Sequence, residues 1–181
     1  MRRFTTAFLI LMNMEKLWSP WRSQYIDSFN TNDKDNECVF CKMENEDIES
    51  LSNLIVDKGP LTFTLLNLYP YNNGHLMIVP YRHTSDFLSL TLEETGEIMV
   101  KMRDAYKALK EVLHPEGFNM GLNLGRVAGA GIHEHVHFHI VPRWNGDTNF
   151  MPVLGEVKVI SQDLIETKKK LLEAYKKLKE S

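Results

Sequence analysis

Four histidines stand two residues apart: His133, His135, His137 and His139. An imidazole can ligate a metal, carry a proton or act as a nucleophile near neutral pH. In an extended chain a spacing of two puts all four rings on one face, with Val136, Phe138 and Ile140 on the other. Pro142 ends the run, because it cannot donate to a ladder. Neighbouring rings on such a face lie roughly 6.6 Å apart along the strand, which is awkward for three of them on one ion. A second reading is nucleophilic catalysis by a central ring whose neighbours fix its tautomer. A third is a solvated polar face, against which four of the chain's seven histidines in strict alternation argue. Upstream, Gly125, Gly129 and Gly131 form a loop with little side-chain cover, where backbone N–H groups can approach an anion.

The run His135-Val-His137-Phe-His139-Ile-Val141 resembles the signature of the histidine-triad (HIT) superfamily of nucleotidyl hydrolases and transferases. Leu65-Leu66-Asn67, Pro70 to Pro80, Asn123-Leu124-Gly125 and Pro142-Arg143-Trp144 are similar to its other landmarks, in order. Leu17 to Arg22 and Trp144 to Met151 resemble a bacterial branch that includes diadenosine tetraphosphate phosphorylases, and the likeness runs from about Met14 to Ile160. It implies a catalytic set of His137, His139 and His135. His137 would attack phosphorus, and the other two would serve the phosphate oxygens. It places Asn67 on the ribose and His75 behind the triad, while the strand–glycine loop–strand order puts Asn123 and the backbone of Gly129, Ala130 and Gly131 beside one phosphate. Phe63 and Leu65 would line the base pocket or belong to the core. Several hydrolases of the family carry Gln or Ser at the position of Gly131. Glycine removes that donor and admits a bulkier acceptor such as inorganic phosphate, which suits phosphorolysis of a dinucleoside polyphosphate. Two other readings stay open: a nucleoside phosphoramidate or aminoacyl-adenylate hydrolase, and a zinc-stabilised nucleotide-binding module with little turnover. A sugar-metabolism uridylyltransferase is disfavoured, since that family has Gln where this chain has His139.

Cys38-x-x-Cys41 is by itself a zinc half-site, a redox pair or a coincidence. Tetrahedral zinc needs two further ligands, for which His83 and a triad-strand histidine are candidates. The resemblance implies structural Zn²⁺ on Cys38, Cys41, His83 and His135. His133, by its place on the same face, is the alternative to His135. One ring cannot serve both a metal and a phosphate, so His135 carries a conflict. Mg²⁺ would come with the substrate's phosphates.

A chain of 181 residues, 43% apolar and 25% charged, has the composition of one ordinary globular domain. Net charge of −3 offers no electrostatic basis for general nucleic-acid or membrane binding. Two cysteines make no disulfide framework and suggest a reducing, cytoplasmic setting. Residues 1–13 are expected to be a disordered extension and 14–181 a single domain, with an apolar arm at Leu17 to Ile26 and a polar loop from Asp27 to Glu37. Strands are expected at Leu61–Asn67 and His75–Pro80 around an Asn73-Gly74 turn, at Phe118–Leu124, and over the histidine run. Thr91 with Glu94 is a capping box opening a helix to Leu113. Val157 to Ile160 is a short apolar segment, and Ser161 to Ser181 is an amphipathic helix with Lys168 to Lys170 on its solvated face. That order predicts an α+β, HIT-like fold: a mostly antiparallel sheet of about five strands, one long helix and a C-terminal helix. From the family comes the expectation of a homodimer.

Overall fold

The computed structural model describes residues 38–148 and 163–180. The extension at 1–13, the arm at 17–26, the loop at 27–37 and the segment at 157–160 lie outside them. The fold is α+β. In chain order come α1 (Val39–Met43), β1 (Ile55–Lys58), β2 (Thr62–Leu66), β3 (Leu76–Pro80), α2 (Leu92–Leu113), β4 (Gly117–Leu122), β5 (Phe138–Arg143) and α3 (Leu164–Glu180). The strands form one sheet in the order β1-β2-β3-β5-β4, antiparallel at every pairing.

The sheet is covered on both faces, so β2 and β3 are buried at every position and their sequences read as nearly continuous apolar runs. One face carries Leu66, Leu76, Ile78 and Ile140 into a core closed by α2 and α3. The opposite face carries Phe63, Leu65, Met77 and Val79 against Phe40 of α1. Phe63 and Leu65, at 1% and 2% exposure, are therefore core members beneath α1. The histidine cluster lies on this second face, since His139 pairs with Met77.

α2 starts where its sequence says it should. The Thr91 side chain accepts from Glu94 N–H, and the Glu94 side chain accepts from Thr91 N–H, which satisfies two donors the helix leaves orphaned. It ends at His114 in the left-handed region, ahead of Pro115. The β2–β3 turn lies against the last turns of α2. Gly74 there has φ 70°, and a Cβ would collide with Leu113 and meet Leu109 Cδ2 at 3.0 Å. Both the backbone angle and the close approach require glycine.

Two expectations need correction. β5 begins only at Phe138, so the four histidines do not share one strand face. From Gly131 to His137 the chain bends inward, because its polar groups find partners elsewhere than in a ladder. Val136 N–H donates to Thr84 O at 2.7 Å, and the His135 ring donates to Pro80 O at 2.8 Å. Lys168 is not on a solvated face either: it is fully buried. Its ammonium donates to Ser50 O at 2.5 Å, Asn53 Oδ1 at 2.9 Å and Asn53 O at 3.1 Å. Burial pushes its pKa down, and nearby Glu49, Asp47 and Glu46 partly offset that. A buried charge persists only where such partners compensate for lost water, and a periodicity count cannot see them.

Candidate catalytic and metal site

His137 projects from the irregular segment just before β5. Its Nδ1 lies 2.8 Å from His135 O. A carbonyl only accepts, so the proton sits on Nδ1 and Nε2 keeps its lone pair. Burial holds the ring below the usual histidine range, so it is neutral near pH 7. A neutral ring with a bare Nε2 is the form an attacking imidazole needs. Phe40 packs against this ring at 5.2 Å between centroids and against His135 at 5.5 Å.

His139, on β5, meets His137 edge to face at 4.8 Å and places Nδ1 2.9 Å from His75 Nε2. His75 Nδ1 receives Tyr71 N–H at 3.0 Å and lies 3.3 Å from Asn67 Nδ2. A nitrogen that accepts cannot carry a proton. His75 is therefore protonated on Nε2 and donates to His139 Nδ1, and a neutral His139 bears its hydrogen on Nε2. Tyr71 also packs at a tilt against His75 and His139, with centroids at 4.5 and 5.5 Å, and its hydroxyl oxygen lies 3.4 Å from Asn123 Nδ2.

His135 is engaged at both ring nitrogens. Nε2–H donates to Pro80 O, while Nδ1 lies 3.3 Å from Cys38 Sγ and 3.8 Å from Cys41 Sγ. Cys41 Sγ lies 3.4 Å from His83 Nδ1. Ligand atoms of Cys38, Cys41, His83 and His135 all lie within 4.8 Å of one another, so these four side chains could hold a metal ion. With Zn–S near 2.3 Å and Zn–N near 2.05 Å, a tetrahedral site has S···N edges of about 3.6 Å, which matches these separations. Burial drives the His135 pKa down to about 4, so the ring is neutral, as a metal ligand must be. Its second nitrogen bonded to a carbonyl is the usual support for a ligating imidazole. In this arrangement both ring nitrogens of His135 have partners, Pro80 O on one side and the cysteine sulfurs on the other. His133 lies outside this group of four; its ring is half-buried and turns toward Glu134 at 3.8 Å.

In the glycine loop, Ala128 N–H and Ala130 N–H bond to Gly125 O, and Gly129 N–H bonds to Arg126 O. The amides of Gly129 and Ala130 thus bond within the loop, around the 3₁₀ turn at Arg126–Ala128. Gly131 is the one of the three whose amide that turn does not use.

Three contributors were not singled out from sequence. Phe40 sits inside the Cys-x-x-Cys spacing, and an aromatic there gave a signal. Tyr71 acts partly through its backbone, which no residue type advertises. Asp147 receives Arg143 through two bonds, at 2.6 and 2.8 Å, and Asn72 Nδ2 at 2.8 Å, tying the β2–β3 turn to the end of β5. The Arg143 guanidinium holds its carboxyl far below the usual carboxylate range.

The HIT domain model matches residues 49–146. A Mycobacterium tuberculosis protein named AP-4-A phosphorylase is 42% identical over 161 residues, covering 87% of this chain and 83% of the relative. The adenosine 5'-monophosphoramidase hnt1 of Schizosaccharomyces pombe is 31% identical, covering 60% of this chain and 75% of the relative. Among solved structures, a Zn-bound histidine triad family protein from Mycobacterium smegmatis superposes with a TM-score of 0.63 at 25% identity, covering 80% of this chain and 96% of that one.

Proposed function

This chain belongs to the HIT domain family and is a nucleotide-processing enzyme of it, and from that premise we propose that it cleaves dinucleoside polyphosphates by phosphorolysis through a nucleotidyl-His137 intermediate. The observation that carries the reading is the tautomer of His137: Nδ1–H held by His135 O, Nε2 left as a lone pair. In the first step His137 Nε2 bonds to an α-phosphorus and the bond to the departing polyphosphate oxygen breaks. With diadenosine tetraphosphate the leaving group is ATP. In the second step an oxygen of inorganic phosphate attacks the same phosphorus, releasing ADP and restoring the ring. His139 Nε2–H donates to a phosphoryl oxygen as charge develops there. Gly131 leaves room for phosphate as acceptor. Asn123 lies beside Tyr71 at the same end of the site, which supports it as a phosphate contact.

Cys38, Cys41, His83 and His135 would hold Zn²⁺, which would supply structure, not chemistry, while Mg²⁺ would only accompany the substrate's phosphates. The likeness to a 42% identical AP-4-A phosphorylase supports the substrate class. Incubation with diadenosine tetraphosphate should give ADP plus ATP in strict dependence on added phosphate. AMP plus ATP in phosphate-free buffer would instead show asymmetric hydrolysis. The likeness to a monophosphoramidase keeps a second reading, for which release of ammonia from adenosine phosphoramidate at a faster rate would decide.

We include a homodimer in the proposal. β4 is an edge strand, and Met120 on it is 48% exposed. An edge strand presents unpaired N–H and C=O groups with which a second chain can pair. Sedimentation at micromolar concentration should give twice the chain mass of 21.0 kDa; a monomer would remove the dimer from the reading. No helix among the described residues is long and apolar enough to cross a membrane.

A further inference from the structure

Asn67 is 8% exposed and turned inward. Its Oδ1 accepts Tyr69 N–H at 2.9 Å, which fixes the amide's orientation, because an N–H must meet the oxygen. Nδ2 is thereby aimed at His75 Nδ1, 3.3 Å away. Tyr71 N–H reaches the same nitrogen at 3.0 Å. Two donors on one nitrogen exclude a proton from it. The remaining proton of His75 is forced to Nε2, and from there the direction of the bond to His139 is set.

We propose that Asn67 is a positioning residue for nucleotidyl transfer, acting through His75 to keep His139 in the tautomer that presents Nε2–H to the phosphate. This rests on the nucleotidyl-transfer reading above. If the His75–His139 pair ran the other way, His139 would turn a lone pair toward phosphate oxygens, and a donor would become a repulsive group. A ribose role predicts something different. A ribose contact acts on substrate affinity, and aspartate, with two acceptor oxygens, can still take ribose hydroxyls.

The test compares Asn67→Asp and Asn67→Ala in the metal-loaded, full-length protein. Asn67→Asp puts an acceptor where His75 Nδ1 needs a donor, and pulls a proton onto that nitrogen against Tyr71 N–H. The expected result is a fall in kcat of at least about tenfold with KM within about twofold. The ¹⁵N shifts of the His139 ring, which need no turnover, should move from Nε2–H to Nδ1–H or to a mixture. Asn67→Ala, which keeps Tyr71 N–H as a donor, should fall between wild type and Asn67→Asp on both measures. Raised KM with unchanged kcat and an unmoved His139 tautomer in both variants would overturn the proposal and leave Asn67 as a substrate contact. If wild type shows no turnover but the tautomer shifts in Asn67→Asp, the fault lies in the assigned reaction and not in the relay.

Discussion

A His137→Ala protein should bind nucleotide and fail to turn it over, with kcat reduced by on the order of 10⁴-fold or more. The size follows from what is removed. Nothing else in the cluster offers an unprotonated ring nitrogen in the required state: His135 is taken at both nitrogens, and His139 Nδ1 receives His75. Affinity should survive, since the ring is 5% exposed and its loss takes little contact area from a ligand. The fold should survive too, because Phe40 retains His135 as a neighbour. The decisive measurement is covalent labelling. Wild-type protein incubated with a dinucleoside polyphosphate labelled at the α-phosphorus and then acid-stabilised or trapped should carry one adenylyl group, and His137→Ala none. A labelled His137→Ala protein would shift the nucleophile elsewhere and end the mechanism proposed here.

Metal removal should loosen the same ring from the opposite side. α1 has five residues, far too few to hold a helix unaided. Phe40 anchors it in the core, and ligation by Cys38 and Cys41 would supply the rest of its support. His135 joins the two sites: its side chain faces the cysteines, and its carbonyl holds the Nδ1–H of His137. A metal present at a thousand times its Kd stabilises the native state by about 4 kcal/mol. For a domain of this size that corresponds to a loss of about 10 °C in thermal midpoint on stripping. Elemental analysis of protein grown with zinc should find one metal per chain. Chelation, or Cys38→Ser with Cys41→Ser, should lower both Tm and the rate of covalent labelling. Protein that never binds metal, or that keeps its Tm and labelling rate once stripped, would show that the four side chains are a reduced cluster with no resident ion.

Much of the architecture was legible because it depends on short-range physics. The capping box at Thr91 and Glu94 requires only residues three apart, and α2 begins there. Strands β2 and β3 follow from apolar runs broken at an Asn-Gly turn, and their ends fall within a residue or so of expectation. The pairing of Cys38 and Cys41 with His83 came from the family resemblance, and the structure brings those side chains together with His135. The alternation of histidines, by contrast, misled on geometry. Period two describes a strand that stays extended, whereas this segment leaves the ladder to meet Thr84 and Pro80. Lys168 shows the same limit, since its burial depends on carbonyls more than a hundred positions away.

Residue type alone settles that this chain carries closely spaced imidazoles, thiols and glycines, because chemical identity belongs to each side chain regardless of its surroundings. Which nitrogen of each ring holds the proton is a different matter. It depends on backbone groups at Pro80, His135 and Tyr71 that adopt their places only when β3, β5 and the turn between β2 and β3 come together. Protons follow acceptors, and acceptors are assigned by packing.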